Sequence, residues 1–111
     1  MIRVDAIWLA SAPLDMRAGT DVALARVVQV FGVARPYHAY LFANRRADRM
    51  KVLIHDGFGI WLLARRLHKG HFTWAPSGSV DRIRLSREQF NALVVGLPWQ
   101  RLGIAAMIST V

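Results

Sequence analysis

Residues 38–74 read HAYLFANRRADRMKVLIHDGFGIWLLARRLHKGHFTW, and this stretch decides the fold. Short apolar runs alternate here with turn residues, which is typical of an antiparallel meander. A tight turn is expected at Asp56–Gly59, because glycine supplies the positive φ that a hairpin needs. The predicted strands are His38–Ala43, Met50–His55, Ile60–Leu67 and His71–Trp74.

The N-terminal third predicts a strand followed by a helix. Residues 3–10 alternate loosely and are rich in strand-forming side chains. A helix then begins with Thr20 or Asp21 as its cap and ends at Gly32. Because almost all of its positions are apolar, we expect this helix to be buried on most sides.

The C-terminal third predicts one more strand and one more helix. Arg82–Leu85 alternates charged and apolar side chains, which indicates a strand with one solvated face. Ser86 and Gln89 have the spacing of a capping box, so a helix is expected from there to about Val95. Trp99, after the helix, is expected to fold back onto the core.

These elements predict an α+β fold with a mostly antiparallel sheet of five to six strands and two helices. A chain of 111 residues has room for one core, so residues 1–111 are interpreted as a single domain. The apolar tail at residues 104–111 has no clear period and is of uncertain order. The absence of a signal-like start or a long uncharged apolar run predicts a cytoplasmic protein without membrane insertion.

The charge balance points to a polyanionic partner. The chain has 15 Lys and Arg residues against 7 Asp and Glu, a net charge of +8, and most of its cations are arginine. The arginine fork suits phosphate and guanine edges, although a genome rich in arginine codons would produce the same bias. The lack of cysteine excludes disulfides, thiol catalysis and cysteine-ligated metals.

The turn at Asn44–Arg49, with Lys51 just beyond it, is the strongest basic cluster. A basic hairpin tip can follow a phosphate backbone or enter a groove, and Asn44 can contact a base edge or hold the turn. The alternative is a solvated turn whose charges protect the sheet edge from aggregation.

A second basic cluster has Arg65 and Arg66 at the end of the next strand, on opposite faces of it, and Lys69 in the turn that follows. If Arg65 shares a face with Trp61, and Arg82 and Arg84 project to that side, the sheet presents a basic and partly aromatic surface. The competing interpretation places the tryptophans in the core.

No enzymatic site is predicted. Two-metal nucleases need several converging carboxylates, whereas the few acidic residues here mostly lie beside turns and helix starts. The pairs His55-Asp56 and His68-x-x-His71 lack a clear third partner, so neither a metal nor a cofactor is expected. A metal-dependent nuclease remains the least favoured alternative.

Five motifs resemble a known family over roughly residues 4–101. They are Asp15-Met16-Arg17-x-Gly19, Leu41-Phe42-x-Asn44-Arg45-Arg46-x-Asp48-Arg49-x-Lys51-Val52-Leu53, Asp56-Gly57-x-Gly59-Ile60-Trp61-Leu62, Arg65-Arg66-Leu67 and Gly70-x-Phe72-x-Trp74. The family is the TnpB accessory protein, the second open reading frame, of the insertion sequence 66 family of bacterial mobile elements. His55 and the stretch Arg65–His68 depart from the usual family pattern while charge is retained.

The resemblance implies a non-catalytic accessory protein encoded beside a separate transposase and needed for efficient transposition. Together with the charge, it predicts DNA as a partner, along with the transposase and other element-encoded proteins. The alternative is a protein adaptor whose basic loop docks an acidic surface of the transposase, with DNA contact incidental. The predicted nucleic-acid-binding residues are Arg17, Asn44, Arg45, Arg46, Arg49, Lys51, Arg65, Arg66, Lys69, Arg82 and Arg84.

Overall fold

Five strands form one sheet in the order β4-β3-β2-β1-β5. The computed structural model describes residues 2–75, 80–100 and 102. Its elements are β1 (Ala6–Ala10), α1 (Thr20–Phe31), β2 (His38–Ala43), β3 (Arg49–His55), β4 (Ile60–Arg66), β5 (Arg82–Leu85) and α2 (Arg87–Val94). The predicted α+β class, with a mostly antiparallel sheet and two helices, is confirmed. The tail at residues 104–111 and the loop expected at 76–79 lie outside the described residues.

β1 and β2 run parallel, while the other neighbouring pairs are antiparallel. Parallel strands need a long crossover, and α1 supplies it between Ala10 and His38. The carboxyl ends of β1 and β2 therefore lie at the same end of the sheet. The β1–α1 loop and the β2–β3 hairpin leave the sheet there side by side.

Both faces of the sheet are covered over its central strands, while the edge strand β4 is largely exposed. The face that we call the α1 face carries Tyr40, Phe42 and Leu53 and packs on α1. The opposite face, called the α2 face, carries Leu41 and Val52 and packs on α2 and the segment 67–75. Coverage on both sides explains why β2 is buried along almost its whole length.

Two predictions about α1 are wrong. Its N-cap is Gly19, and no side chain caps it, so neither Thr20 nor Asp21 has the expected role. The helix is also not buried on most sides, because Val22 is 57% exposed and Val28 is 47% exposed. The described residues provide no layer outside α1, so its outer apolar side chains remain on the surface.

The strand predicted at His71–Trp74 is irregular in the structure. This segment must travel from β4 at one edge of the sheet towards β5 at the other, and it crosses the α2 face. Its polar groups pair with loops instead of a strand: the Phe72 N–H donates to the Ala47 carbonyl at 2.6 Å, and the Trp99 indole donates to the Thr73 carbonyl at 2.6 Å. Trp99 is buried, as predicted.

The remaining sequence signals at the helix ends are confirmed. Ser86 and Gln89 form the capping box at the start of α2, and Gly32 ends α1 with a left-handed φ of 86°. Among the described residues, neither helix has the length and apolar content needed to cross a bilayer.

Candidate nucleic-acid interface

Two segments far apart in the sequence meet at the carboxyl ends of β1 and β2. The Leu14 N–H donates to the Ala43 carbonyl at 2.9 Å and ties the β1–α1 loop to the start of the hairpin. Between them lies an open cleft of about 650 Å³. We call it the arginine cleft, and its lining includes Asp15, Met16, Arg17, Asn44, Arg45, Arg46, Asp48 and Arg49.

Asp15 organises the loop side of the arginine cleft. Its carboxylate accepts the backbone N–H of Arg17 at 2.9 Å and pairs with the Arg17 guanidinium at 2.8 Å. The hydrogen bond from the Arg17 side chain, helped by the backbone bond, lowers the pKa of Asp15 to about 2. Asp15 is therefore ionised at neutral pH and offsets part of the Arg17 charge, while the Arg17 side chain remains 92% exposed.

Asn44 holds the hairpin turn from inside. Its side-chain oxygen accepts the backbone N–H groups of Asp48 and Arg49, each at 3.2 Å, and its amide donates to the Asp48 carboxylate at 2.7 Å. This last bond lowers the pKa of Asp48. Of the two roles expected for Asn44, its contacts in the structure are those of the turn residue.

The segment after β4 anchors the same turn from outside. Nδ1 of His71 lies 2.7 Å from the Arg46 carbonyl oxygen, and the Leu67 N–H donates to the Asp48 carbonyl at 3.3 Å. The backbone is thus held while the side chains of Arg45 and Arg46 are exposed. The sequence had suggested His71 only as a possible metal ligand, and its contact to the hairpin was missed because only proximity in the fold brings the two together.

Lys51 has a structural contact in addition to its charge. Its Nζ donates to the Ala18 carbonyl at 2.7 Å, which ties β3 to the residues just before α1. A smaller hollow of about 340 Å³ next to the arginine cleft shares Met16 and Arg49 with it and continues to Lys51, Arg65 and Arg66. The cationic surface therefore extends from the hairpin onto β3 and β4.

Arg65 and Arg66 point to opposite faces of β4. Arg66 pairs in register with Arg49 and lies on the α1 face, whereas Arg65 pairs with the buried Met50 on the α2 face. The Arg65 Nε donates to the Val94 carbonyl at 2.7 Å, at the end of α2. Lys69 lies exposed in the turn that follows.

The expected surface that joins Trp61 and Arg65 with Arg82 and Arg84 is absent from the described part of the chain. Arg84 pairs with Trp8 on the α1 face, whereas Trp61 pairs with Ile54 on the α2 face. β4 and β5 are also the opposite edges of the sheet. The pairing register of the strands places these groups on opposite faces of the sheet, and that register cannot be read from the sequence.

Most of the predicted site cations have no carboxylate partner. Over residues 2–75, 80–100 and 102, the ion pairs are Arg3–Asp5 and Arg17–Asp15, both exposed. The hairpin arginines and those of β4 and β5 therefore form no ion pair, although the Asp48 carboxylate lies near enough to Arg46 and Arg49 for their charges to lower its pKa further. Their field is attractive to anions at short range and screened by salt beyond about 10 Å.

Asp56, the acidic member of the His55-Asp56 pair, has structural contacts. Asp56 accepts the N–H groups of Phe58 at 2.9 Å and Gly59 at 2.7 Å and the Trp61 indole at 2.8 Å, and these bonds lower its pKa. The described residues contain no group of three His, Cys, Asp or Glu side chains placed to hold a metal ion.

Comparison with known proteins assigns the family. The family described as IS66 Orf2 like protein matches residues 5–103. Two similar proteins, both described as uncharacterized, come from Sinorhizobium fredii (strain NBRC 101917 / NGR234). The first, y4hO, is 32% identical over 96 residues, which cover 85% of this chain and 82% of the relative. The second, y4jC, is 33% identical over 98 residues, covering 86% and 82% respectively. No solved structure matches the chain. Since the match spans nearly the whole fold described above, the chain belongs to the IS66 Orf2-like family, which has an accessory role in the transposition of insertion sequences.

Proposed function

We propose that this protein is a non-catalytic accessory factor that binds DNA during transposition, with the arginine cleft as its contact to the phosphate backbone. The observation that carries the proposal is the convergence of Arg17 with Arg45, Arg46 and Arg49 around one cleft. These residues come from two loops that are distant in the sequence. Guanidinium groups bind phosphate oxygens bidentately, so this clustering favours a nucleic-acid backbone.

The rigidity of the hairpin backbone supports the same function. Asn44 holds the turn internally, and His71 approaches the Arg46 carbonyl from outside. Phosphate binding then has to order only the arginine side chains, which reduces the conformational entropy lost on association. Lys51 contributes charge while it tethers the Ala18 carbonyl, and Arg66 extends the cationic surface along β4.

Asp15 tunes the strength of the cleft. Its pairing with Arg17 keeps one guanidinium partly neutralised until a phosphate competes for it. Such a site binds DNA through exchangeable contacts. We expect a salt-sensitive affinity, with log Kd changing by about 0.9 per log unit of salt for each phosphate neutralised. About five contacts give a slope near 4 to 5.

A salt titration of binding to a labelled duplex tests the proposal. Arg45→Ala combined with Arg46→Ala should weaken binding by at least tenfold and reduce the salt slope by about 2, because two phosphate contacts are lost. The matched control is Arg3→Ala with Arg87→Ala, which removes the same charge at the opposite end of the sheet. Equal losses in the two double variants, or a salt-independent affinity, would contradict a localised phosphate site.

No contact in the described residues favours an adaptor that docks through its basic loop, but an adaptor that docks through another surface is favoured by one observation, the exposed apolar surface of β4. Trp61 is 46% exposed and Leu63 is 43% exposed on the α2 face. DNA backbones do not bury such side chains, whereas protein partners do. The test is co-purification with the transposase after nuclease treatment. Three results together would support the adaptor function instead: Leu63→Ser loses the transposase, Arg45→Ala/Arg46→Ala retains it, and the protein does not shift element-end DNA.

A further inference from the structure

A second concave site lies on the α1 face, away from the arginine cleft. It measures about 440 Å³ and is formed where β1 and β2 meet the end of α1. We call it the aromatic pocket, and its lining includes Trp8, Phe31, Arg35, His38, Tyr40 and Arg82. This volume lies in the range of small-molecule sites, and the lining combines aromatic rings with a few cations.

The aromatic rings form a connected group. The ring centroids of Trp8 and Phe31 are 6.0 Å apart, and those of Phe31 and Tyr40 are 4.9 Å apart. The Trp8 indole donates to Nδ1 of His38 at 3.0 Å, which fixes the orientation of both rings. Tyr40 is buried at the base, whereas Trp8, Phe31 and His38 are half-buried and present ring surface to the pocket.

Cations surround these rings. Arg35 and Arg82 line the pocket, and the Arg84 guanidinium lies 5.8 Å from the centre of the Trp8 ring. Within the described residues none of the three has a carboxylate within salt-bridge distance. Arg82 makes only a long contact, 3.4 Å, to the Val30 carbonyl. The pocket therefore joins flat apolar surfaces to unneutralised positive charge.

This combination matches a planar, anionic ligand. We propose that the aromatic pocket binds one unpaired nucleotide of single-stranded DNA, with the base against Trp8 and Phe31 and the adjoining phosphate held by Arg35 and Arg82, the two arginines of its lining. Bases stacked inside a duplex cannot reach a concave site of this kind, whereas an unpaired base can stack on aromatic rings. The inference rests on the proposed nucleic-acid binding but uses a different surface, which adds a preference for single strands.

The competing explanation is ordinary packing. Arg84 would simply cover Trp8, and Arg82 would satisfy a carbonyl at the end of α1. Under that explanation the side chains contribute to stability and to general charge alone, so substitutions there affect single-stranded and duplex DNA equally.

The two explanations separate in a comparison of substrates. A fluorescently labelled 15-nucleotide dT strand and a duplex of the same length are titrated at one salt concentration with the full chain. Arg35→Gln combined with Arg82→Gln should weaken binding of the dT strand by at least tenfold and change duplex binding by less than threefold. The matched control is Arg3→Gln with Arg87→Gln, which should weaken both substrates by less than threefold. Equal losses on the two substrates in the pocket variant would overturn the proposal.

Stacking is tested separately from charge. Phe31→Leu keeps most of the apolar volume but removes a ring, so we expect at least a fivefold loss of dT affinity without a change for the duplex. A thermal melt verifies that the variant is folded; unchanged dT binding by folded Phe31→Leu would contradict base stacking.

Failure of this inference is distinguishable from failure of the proposed function. If Arg45→Ala/Arg46→Ala leaves duplex binding intact while the double variant of the aromatic pocket still weakens dT binding, the arginine cleft is not the duplex site and the proposal for the aromatic pocket is supported. If instead the hairpin variant weakens duplex binding and the pocket variant has no selective effect on the dT strand, the proposed function of the arginine cleft is supported and the proposal for the aromatic pocket is wrong.

Discussion

The β2–β3 hairpin and strand β5 both carry exposed arginines, yet the fold uses them differently. In the hairpin, a network around Asn44 fixes the backbone, and Asp15 and Asp48 lie among the cations. On β5, the strand register sets Arg84 beside Trp8, and no carboxylate lies within pairing distance in the part of the chain that the structure describes. Arginine is thus clustered near carboxylates in the loops and placed beside an aromatic ring on the strand.

The largest effect should come from the hairpin network. Asn44→Ala removes three hydrogen bonds and leaves two backbone N–H groups without their acceptor. We expect the free energy of unfolding to fall by about 1–3 kcal/mol, measured by urea denaturation. Asn91→Ala, on the exposed side of α2, is the control and should change it by less than about 0.5 kcal/mol. An unaltered stability in Asn44→Ala would mean that the hairpin backbone is organised by other contacts.

The next effect tests the tuning of the cleft by carboxylate. Asp15→Asn preserves the acceptor for the Arg17 N–H but removes the charge that pairs with its guanidinium. Duplex affinity should rise by about three- to tenfold, and the salt slope should steepen by about 0.9 as Arg17 gains a phosphate. Glu88→Gln changes the net charge equally at the start of α2. If it produces the same gain, the effect belongs to overall charge and not to the cleft.

The stability of the protein should depend on pH through His38, which begins β2 and lies near Arg84 of β5. Burial, together with the charges of Arg35 and Arg84, lowers the pKa of His38, while Asp5 opposes them. The unfolded chain then binds this proton at higher pH than the folded chain, so stability is complete well above pH 6.5 and decreases as the pH falls through about 6.5. Protonation at Nδ1 also removes the acceptor for the Trp8 indole.

Urea denaturation at pH 7.5 and 5.5 measures this loss. His38→Asn keeps an acceptor near Trp8 but has no group that titrates there. The difference in the free energy of unfolding between pH 7.5 and 5.5 should therefore become smaller by about 0.5–1.5 kcal/mol, the contribution of one hydrogen bond. His68→Asn, in an exposed turn, should leave the pH dependence as in the parent chain. A parent-like pH profile in His38→Asn would place the titration elsewhere.

The smallest effect should come from the contact between Arg84 and Trp8. Arg84→Gln removes the cation near the ring, and an exposed cation–π contact contributes about 0.5–1 kcal/mol to stability. Arg82→Gln is the control on the same strand and should cost less, since its carbonyl contact is long. If Arg82→Gln lowers the free energy of unfolding more than Arg84→Gln does, the contact of Arg82 with the end of α1 is the more stabilising of the two.

Local patterns predicted much of the fold. β2 begins and ends at the predicted residues, the capping box starts α2, and Gly32 ends α1. These features depend on neighbours in the chain, so the sequence contains the physical cause. The strand expected at His71–Trp74 and the burial expected for α1 were wrong, since both depend on what packs against those residues.

The candidate site shows the same division. The cluster Arg45, Arg46 and Arg49 was visible as a basic turn, but its meeting with Arg17 was not. That meeting requires the parallel pairing of β1 and β2, which brings two loops to one end of the sheet. Likewise, Arg84 was expected on the same side of the sheet as Trp61, but it lies on the other side, paired in register with Trp8.

By itself, the sequence determined the family motifs, the excess of arginine and, apart from the strand expected at His71–Trp74, the order of helices and strands, because each of these is encoded in composition or short-range spacing. The tertiary structure alone decided which cations share a surface. Side chains alternate between faces along a strand, so a shift of one residue in pairing moves every arginine to the other side. Only the assembled sheet sets that register.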